Sequence, residues 1–581
     1  MQHQSINLTL KIKYIPYALC AMMLVICARL FYLQIDQNHI LLNQSERNCT
    51  RIEKIPSPRG NIVDAFDNLL ATNRPLTSLY WQGKGNQTLT PEQLLKLEKI
   101  SSIINKPLIN DQILRDGITA TEKKYKKLLL ASDLSFEQLS QIQEQFSTDD
   151  NLIISTHFKR YYPYKTFACH LLGYLGQINT DAQGRMGLEK MFEEELKGEH
   201  GTTVRKINSM GRSLVELQLK DALSGSTLKT TIDIELQDIV EQIFPENQAG
   251  ACILMNPENG SIVSMVSRPN FDPNIFLEPL NEAQWQGLQD KKPFLNRAFN
   301  SCYPPGSIFK LVTMSAALEN GLIYPESCLC CRGYTIFAER KYHCARKTGH
   351  GYLSACQALA QSCNIMFFDI ARRISIDMLA DYAHKFGLGE KTDICFPEKE
   401  GLIPTSEWKK RVKRERWWPG ETLSAAIGQS FILVTPVQVA RMISSIFSGY
   451  LSTPRILEND PILQQPLHIQ HSTLEFLRDS MKSVVTKGTG IGVSRVKSIT
   501  IYAKTSTTQV ANLDKSALDK SFLEHAWFVA YFKYKDNQPL TLVILAENVG
   551  SSREATHIAK NFLIEYKKLM DTRVQGNIVF A

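Results

Sequence analysis

The longest apolar run of the chain lies near its N-terminus, over residues 14–35, and is long enough to cross a bilayer as a helix. Arg29 is its only charged residue, and Lys11 and Lys13 precede it. By the positive-inside rule, these lysines predict a cytoplasmic tail over residues 1–13 and place the bulk of the chain on the other side of the membrane. A signal peptide and a buried soluble helix are the alternatives, but the run lacks a clear small-residue cleavage site and its flanks lack an amphipathic face.

Residues 36–245 mix helical and strand-like periodicity. Residues 59–71 contain a turn between two short apolar runs and predict a hairpin. Residues 89–150 are charged with a Leu/Ile period that predicts surface helices, and residues 187–198 predict one more helix. No pattern of nucleophiles or acids stands out here, so we interpret this part as a pedestal or interaction domain.

The pattern changes at about residue 248, where short and continuously apolar runs begin. Two such runs flank a tight turn, and two more lie close to the C-terminus. Strands at both ends with helices between them predict one α/β domain over residues 246–570, whose antiparallel sheet is assembled from both ends of the segment. Residues 571–581 are then a C-terminal tail. The four runs cover residues 251–255, 261–266, 525–531 and 541–546.

Composition limits the range of functions. A chain of 581 residues is too long for one core, so two or more domains are expected. The net charge of +8 is modest for this length and gives no case for nucleic-acid binding. Thirteen cysteines is an odd number, and their spacing does not resemble a small disulfide scaffold. The chemistry must therefore be sought in local motifs.

A turn rich in proline and glycine, over residues 303–306, precedes an apolar run of helical period. Ser307 is expected in the first turn of that helix, with Lys310 one turn later on the same face. Free backbone N–H groups can polarise such a serine, and burial lowers the pKa of such a lysine, so the pair fits a nucleophile and its base. The spacing alone equally describes a serine cap followed by a surface lysine.

Two further polar clusters interrupt apolar runs. The sequence Ser-Cys-Asn over residues 362–364 lies between two apolar stretches, where a hydroxyl and an amide must be hydrogen-bonded or face a cleft. The sequence Lys-Thr-Ser-Thr over residues 504–507 follows a strand-like run and is expected on a strand beside that of Trp527. Each cluster alone has an ordinary structural interpretation, and it is their order along the chain that favours a functional one.

The three motifs, S-x-x-K at 307–310, S-x-N at 362–364 and K-T-S at 504–506, resemble in order those of the penicillin-binding, serine acyl-transferase family. The resemblance runs from the apolar helix to about residue 565 and is closest to class B penicillin-binding proteins, in particular to the penicillin-binding protein 2 subgroup. It implies an elongated α+β pedestal (dimerisation-like) domain and a transpeptidase domain with the serine β-lactamase-like fold, an antiparallel sheet with flanking helices. Further matching stretches are R-G-x-I at 59–62, G-L-E at 187–189, Y-P-P-G-S at 303–307, G-H-G at 349–351, and G-Q-S at 428–430 leading to T-P-x-Q at 435–438.

The resemblance implies a role for each residue of the first two motifs. Ser307 attacks the D-Ala–D-Ala carbonyl of a stem peptide and forms an acyl-enzyme, and Lys310, kept neutral by its surroundings, accepts the serine proton. Ser362 relays a proton to the leaving amine, and Asn364 orients Lys310 and the substrate amide. The amine of a neighbouring stem peptide then takes the acyl group, and no organic cofactor is needed.

The third motif is implied to bind the substrate. Lys504 and Thr505 hold the terminal carboxylate of the stem peptide, which suits an ammonium and a hydroxyl. The backbone N–H groups of Ser307 and Thr507 form the oxyanion hole.

Two serines depart from the family pattern, because most members have glycine at each position. The side chain of Ser506 is expected on the same strand face as that of Lys504, so its hydroxymethyl group would lie near the carboxylate site and narrow the cleft or alter β-lactam affinity. Ser430 replaces the last glycine of the Gly-Gln-Gly element. Neither change removes a reacting group, so we still predict activity.

A candidate metal site consists of Cys331, Cys344, His350 and Cys363, with the spacing C-x12-C-x5-H-x12-C. Three thiolates and one imidazole are the ligands of a closed, structural zinc site, and Cys363 would let the metal fix the S-x-N loop. Some relatives of penicillin-binding protein 2 carry a metal at matching positions. Unpaired thiols, or a disulfide of the type Cys328–Cys344 in an oxidising periplasm, are the alternatives.

Taken together, the resemblance implies a D,D-transpeptidase of cell-wall elongation and cell shape, inhibited by β-lactams and anchored in the bacterial inner membrane with its catalytic domain in the periplasm. Its expected partners are D-Ala-D-Ala stem peptides, a membrane-embedded glycan polymerase and other elongation-complex proteins. The alternatives with similar chemistry are a division-specific transpeptidase, and a β-lactamase or a serine-type D-Ala-D-Ala carboxypeptidase that uses water as acceptor. A non-catalytic scaffold for a polymerase is an alternative of a different class.

Overall fold

The structure is a computed structural model, and it describes residues 2–109, 111–147, 149–178, 181–208, 213–278, 280–508 and 523–579. The chain divides into two compact units, each built from segments that are not contiguous in sequence. Residues 60–72 and 160–196 pack with the second unit, although the sequence pattern placed both in the pedestal. The predicted domain boundaries remain predictions. The first unit comprises Met1–Arg59, Asn73–Lys159 and Lys197–Gly225, and the second comprises Gly60–Thr72, Arg160–Leu196 and Ser226–Ala581.

The first unit begins with the helix Gln2–Phe31, which continues as a wider helical turn over Tyr32–Asp36 and is followed by the helix Asn38–Cys49. Tyr14–Asp36 is long and apolar enough to cross a membrane, and it is the one such helix in the part of the chain that the structure describes. The span predicted from the apolar run therefore coincides with continuous helix. Its apolar side chains are exposed, as expected for a surface that lipid covers.

Three helices of the first unit lie where the charged, Leu/Ile-periodic pattern predicts them. Two begin at capping boxes, in which Thr90 and Ser135 accept a hydrogen bond from a backbone N–H three residues later. The strand Lys127–Ala131 was not predicted, because its short apolar run fits a helix as well as a strand. The three helices are Pro91–Ile104, Gln112–Lys123 and Phe136–Phe146. Three strands of the first unit form one antiparallel sheet: Thr50–Ile55, Gly201–Ile207 and Ser213–Lys220. The unit also contains the strand Lys127–Ala131 and the larger parts of the strands Leu69–Gln82 and Leu152–Tyr161.

The second unit contains the predicted hairpin near its start. Ile62 pairs with Ala71 across the turn, and Leu228–Lys229 adds a short parallel strand beside Ile62–Val63. The second unit also contains four other pairs of strands among the residues that the structure describes. They are Leu175–Ile178 with Asp181–Gly184, Cys328–Cys331 with Gly351–Ser354, Tyr334–Phe337 with Arg340–His343, and Tyr450–Ser452 with Gln464–Pro466.

A buried ion pair stabilises the part of this unit that carries the G-L-E motif. Arg160 Nε lies 2.7 Å from Glu189 Oε1, and both side chains are almost completely buried. The Tyr162 hydroxyl donates to the same carboxylate at 3.0 Å. A buried carboxylate is tolerated only with such partners, which gives the glutamate of the short helix Gly187–Met191 a structural role.

A five-stranded antiparallel sheet, called here the central sheet, forms the core of the second unit. Two of its strands are joined by the predicted tight turn, and the other three come from the end of the chain. Gly250–Met255 pairs with Leu540–Ala546, so the two ends of the segment meet in the middle of the sheet. The predicted fold class is confirmed. In order, the strands are Ile262–Arg268, Gly250–Met255, Leu540–Ala546, His525–Tyr534 and Ile499–Thr508, and the last is called the motif strand.

Helices cover both faces of the central sheet, because side chains alternate between the faces along each strand. Phe528 packs on the side of the C-terminal helix with Phe562, whereas Trp527 belongs to the larger cluster that contains Phe309. The C-terminal helix continues to Val579 and so includes most of the predicted tail. The α-helices of this unit are Cys169–Leu172, Gly187–Met191, Glu193–Leu196, Ile234–Ile243, Glu282–Lys291, Lys310–Glu319, Ala355–Ala360, Asn364–Ala371, Ile376–Lys385, Ser406–Lys413, Pro419–Ala425, Pro436–Ser448, His471–Lys487 and Ser552–Val579, with 3-10 turns at Pro273–Leu277, Gly306–Ile308 and Ile491–Val493.

Candidate active site

The predicted nucleophile lies on a short 3-10 turn, Gly306–Ile308, immediately before the helix Lys310–Glu319. This turn, which we call the nucleophile turn, differs from the expected first α-helical turn. Its Gly306 N–H donates to the Gly428 carbonyl at 2.9 Å, and Gly306 has a φ of +54° that favours glycine. Ser307 itself is half-buried, and the backbone that precedes it is held by the hydrogen bond of Gly306.

Lys310 is completely buried one turn after Ser307. Its Nζ donates to the Ser362 carbonyl at 2.8 Å and to Asn364 Oδ1 at 2.7 Å, and Ser362 Oγ lies at 3.2 Å. Among the described residues, Ser307 Oγ is not one of its hydrogen-bond partners. Burial lowers the pKa of Lys310 to about 8 against an opposing effect of the Cys363 and Cys344 thiols. At pH 7 about a tenth of Lys310 is therefore the neutral amine that a base requires, far more than for a lysine of ordinary pKa.

The S-x-N motif runs from the link that follows the helix Ala355–Ala360 into the first residue of the helix Asn364–Ala371. Ser362 has a left-handed φ of 54°, which a non-glycine residue adopts only at some cost. In this conformation the Ser362 hydroxyl lies between two buried lysines. Its Oγ is 3.2 Å from Lys310 Nζ and 3.1 Å from Lys504 Nζ. The Ser362 hydroxyl thus connects the two lysines of the site by hydrogen bonds.

The motif strand supplies Lys504, which is also completely buried. Besides Ser362, its Nζ donates to the Thr505 carbonyl at 3.0 Å. Burial, and then the charge of Lys310, holds the pKa of Lys504 well below its usual range. The Thr505 hydroxyl donates to Thr489 Oγ1 at 2.6 Å. The three sequence motifs thus meet in one place, as the sequence predicted.

Ser506 does not lie as the sequence pattern led us to expect. Its Oγ accepts a hydrogen bond from the Ser307 N–H at 2.7 Å and donates to the Pro305 carbonyl at 2.9 Å. The hydroxyl therefore lies against the nucleophile turn rather than at the carboxylate site. Thr507 accepts a hydrogen bond at its Oγ1 from the Ser552 N–H at 3.2 Å, which ties the end of the motif strand to the start of the C-terminal helix.

Ser430, the second departure from the family pattern, is exposed and has a φ of 69°. Glycine adopts this left-handed conformation freely, whereas serine does so at a cost. Gly428, two residues earlier, is more constrained, because a Cβ there would lie 2.2 Å from the Gly306 carbonyl oxygen. The G-Q-S element therefore supports the nucleophile turn through its first residue rather than its last.

The candidate metal ligands come together around the far side of the S-x-N link. The ligand atoms of Cys331, Cys344, His350 and Cys363 lie within 4.8 Å of one another. His350 Nδ1 is 3.5 Å from Cys331 Sγ and 3.6 Å from Cys344 Sγ, and the sulfurs of Cys344 and Cys363 are 3.9 Å apart. A tetrahedral zinc with bonds of about 2.3 Å to sulfur and about 2.0 Å to nitrogen requires separations of about 3.8 and about 3.6 Å. The three separations given above fit a tetrahedral zinc site.

Sequence reasoning missed two groups that support the site. Thr489, which pairs with Thr505, lies in the Gly-Thr-Gly turn over 488–490; that turn was the available signal. Glu547 accepts from the Tyr303 hydroxyl at 2.6 Å and from Arg297 Nε at 2.8 Å, and so fixes the residue that begins the Y-P-P-G-S stretch. No local pattern pairs residues this far apart in sequence.

Comparison with known proteins agrees with this geometry. The Peptidoglycan D,D-transpeptidase MrdA of Haemophilus influenzae is 28% identical, covering 93% of this chain and 89% of its own. The penicillin-binding protein PBP2 in its complex with MreC, from Helicobacter pylori, superposes with a TM-score of 0.75 at 26% identity, covering 90% of this chain and 99% of its own. A chain in a structure of a peptidoglycan synthase complex that coordinates polymerization and crosslinking gives 0.73 at 26% identity, covering 95% of this chain and 97% of its own.

Two family profiles match the chain. The Penicillin-binding Protein dimerisation domain matches residues 54–230, and the Penicillin binding protein transpeptidase domain matches residues 250–564. The second match covers more than half of the chain and contains all three active-site motifs. The resemblance stated from the motifs is confirmed, and the chain belongs to the penicillin-binding protein transpeptidase family, with a likeness to penicillin-binding protein 2.

Proposed function

We propose that the protein is a peptidoglycan D,D-transpeptidase that cross-links stem peptides through a serine acyl-enzyme during cell-wall elongation. The observation that carries the proposal is the buried Lys310, which lies one turn from Ser307 and is hydrogen-bonded to the S-x-N motif. A lysine whose pKa is lowered by burial is a base for an adjacent hydroxyl. The relatives named for this reaction support the same assignment.

Acylation follows from these positions. Ser307 Oγ attacks the carbonyl carbon between the two terminal D-alanines, and the neutral Lys310 amine accepts the serine proton. The peptide C–N bond then breaks, and the proton passes from Lys310 through the Ser362 hydroxyl, 3.2 Å away, to the leaving nitrogen. Free D-alanine departs, and the acyl group remains on Ser307 as an ester.

Transfer of the acyl group uses the same path in reverse. The amine of a neighbouring stem peptide attacks the ester carbonyl, and its proton passes to Lys310. As the ester C–O bond breaks, Lys310 returns the proton to Ser307 Oγ, and the new peptide bond is the cross-link. An amine acceptor distinguishes this reaction from that of a carboxypeptidase or β-lactamase, in which water attacks.

Lys504 and Thr505 are proposed to hold the terminal carboxylate of the donor peptide. An ammonium and a hydroxyl are suitable donors for this group. A bound carboxylate also raises the pKa of a neighbouring lysine, so the substrate itself opposes the effect of burial on Lys504. The carboxylate therefore favours the protonated form of the lysine that binds it.

Covalent labelling with a fluorescent penicillin tests the proposal on the detergent-solubilised full chain. Wild type is expected to be labelled and Ser307→Ala is not, while Ser494→Ala, which changes an exposed serine, is labelled like wild type. Equal labelling of Ser307→Ala, or none of wild type, would reject the enzyme and favour a non-catalytic scaffold. Release of the label within minutes would favour a β-lactamase.

The helix Tyr14–Asp36 supports a single-pass anchor, and the lysines that precede it support a cytoplasmic tail and a periplasmic catalytic domain. Partners of the elongation machinery, including a membrane glycan polymerase, are proposed because the solved neighbours are a complex with MreC and a synthase assembly. Depletion of the protein in its own cells tests the pathway. Rounding of rod-shaped cells is the expected outcome, and filamentation would instead indicate a division enzyme.

We also propose a structural zinc bound by Cys331, Cys344, His350 and Cys363, supported by separations that match a tetrahedral site. When bound, the ion would crosslink the loop of Cys344 to the S-x-N link and take no part in the chemistry. Metal analysis of the purified full chain tests this. One zinc per chain is expected for wild type and for the exposed-thiol control Cys328→Ser, and none for Cys344→Ser. Wild type without zinc would reject the site.

A further inference from the structure

The Ser506 hydroxyl occupies a backbone donor that the proposed reaction needs. Its Oγ accepts from the Ser307 N–H at 2.7 Å and donates to the Pro305 carbonyl at 2.9 Å. Ser506 is only 2% exposed. A Cβ on Gly306 would lie 2.4 Å from this oxygen, so the motif strand and the nucleophile turn are already in close contact at this point.

We propose that Ser506 is an internal ligand of the oxyanion hole, which has to be displaced before Ser307 can be acylated. The inference rests on the proposed function, since it concerns the acylation step of that reaction. During acylation, the Ser307 N–H donates to the substrate carbonyl oxygen as negative charge develops on it. An N–H that already has a short, well-formed bond to one acceptor cannot serve a second equally well. The substrate oxygen therefore replaces Ser506 Oγ.

Displacement requires Ser506 to leave its rotamer inside a buried contact. Both of its hydrogen bonds are lost unless new partners replace them, and a neutral hydrogen bond contributes roughly a two- to tenfold factor to an equilibrium. Ser506 thereby slows acylation by any substrate that uses the same N–H, β-lactams included. The same two hydrogen bonds connect the motif strand to the nucleophile turn. Ser506 therefore fixes the geometry of the site before substrate binds, and it does so at the cost of a lower acylation rate.

The consequence is specific to the hydroxyl. Glycine at this position has no acceptor for the Ser307 N–H, and alanine keeps the Cβ but also lacks the acceptor. Both changes leave the N–H available to the substrate. Thr500 provides a matched control, because it is a hydroxyl residue on the same strand but is exposed to solvent.

The test is the second-order rate constant for acylation by a fluorescent penicillin, measured with the full chain in detergent alongside its melting temperature. Ser506→Gly and Ser506→Ala are expected to react roughly two- to tenfold faster than wild type, with a melting temperature that is unchanged or lower. Thr500→Ala is expected to react at the wild-type rate. A purely structural role would instead lower both the rate and the melting temperature.

The outcomes separate this inference from the function on which it rests. Ser307-dependent labelling that is no faster in either folded Ser506 variant overturns the inference and leaves the transpeptidase assignment standing. If Ser506→Gly does not fold, Ser506→Ala alone decides. Absence of Ser307-dependent labelling in every chain, wild type included, overturns the proposed function and this inference with it.

Discussion

The two faces of the segment 362–364 differ sharply in chemistry although they belong to three consecutive residues. Ser362 and Asn364 point to the lysines of the active site, whereas Cys363 points to the thiol of Cys344 on the other side. Ser362 and Cys363 lie in the link between two helices, and Asn364 is the first residue of the second helix. In such a link neighbouring side chains can point in opposite directions, and one short stretch serves two clusters.

The lysine face lowers the pKa of both of its lysines. Lys310 donates to a carbonyl, an amide oxygen and a hydroxyl, all of them neutral groups, and its burial disfavours the charged form. On the cysteine face, the hydrogen bond between Cys344 and Cys363 lowers the pKa of Cys344 to about 4 and favours its thiolate, while the same bond raises the pKa of Cys363. A neutral amine is what a base requires, and a thiolate is what a metal requires. The comparison separates a reacting face from a supporting one.

The largest expected effect comes from the lysine face. Lys310→Ala removes the proton acceptor and is expected to lower the acylation rate about 10²- to 10⁴-fold. Lys310→Arg is expected to lose as much, because a guanidinium stays protonated. The exposed Lys482→Ala is the control and retains the wild-type rate. Rates measured with fluorescent penicillin that stay within tenfold of wild type in both Lys310 variants would contradict the assignment of the base.

The lysine face could be predicted from the sequence, because its residues lie in three short motifs with fixed spacing. The cysteine cluster was also predicted from spacing, and the structure brings its four ligand atoms together, while its zinc stays a prediction. The contact of Ser506 was not predictable: strand alternation gives the face of a side chain but not the distance to a turn some 200 residues earlier. The interleaved units escaped prediction for the same reason, since they depend on pairing between distant segments.

On the cysteine face, the main effect should be on stability. Cys344→Ser removes one ligand of the proposed zinc and is expected to lower the melting temperature by about 5–10 °C, at roughly 2–4 °C per kcal/mol for a domain of this size. A chelator should destabilise wild type and Cys328→Ser but leave Cys344→Ser unchanged. Acylation should fall less than in Lys310→Ala. A chelator that has no effect on wild type would remove the distinction between the two faces.

The pH dependence of acylation provides a finer test of the lysine face. Since the reactive form of Lys310 is the neutral amine and its pKa is lowered to about 8, the rate should rise as pH increases and level off above pH 8. Below that value it should fall about tenfold per pH unit, as the protonated fraction grows. Lys310→Ala should lose this dependence. A rate that is independent of pH between 6 and 8 in wild type would indicate a base of lower pKa.

The smallest expected effect distinguishes two serines with the same backbone strain. Ser362 and Ser430 both have a left-handed φ, 54° and 69°, so glycine at either position relieves strain of about 1–2 kcal/mol and adds unfolded-state entropy of about 0.5–1 kcal/mol. Ser430→Gly should therefore raise the melting temperature by about 1–2 °C without changing acylation. Ser362→Gly should not be stabilised, because it also loses the hydroxyl that accepts hydrogen bonds from Lys310 and Lys504 in the wild type. The acylation rate of this variant should fall. Equal shifts in the two variants would mean that these hydrogen bonds add nothing to folding, and that Ser362 keeps its strained backbone for catalysis alone.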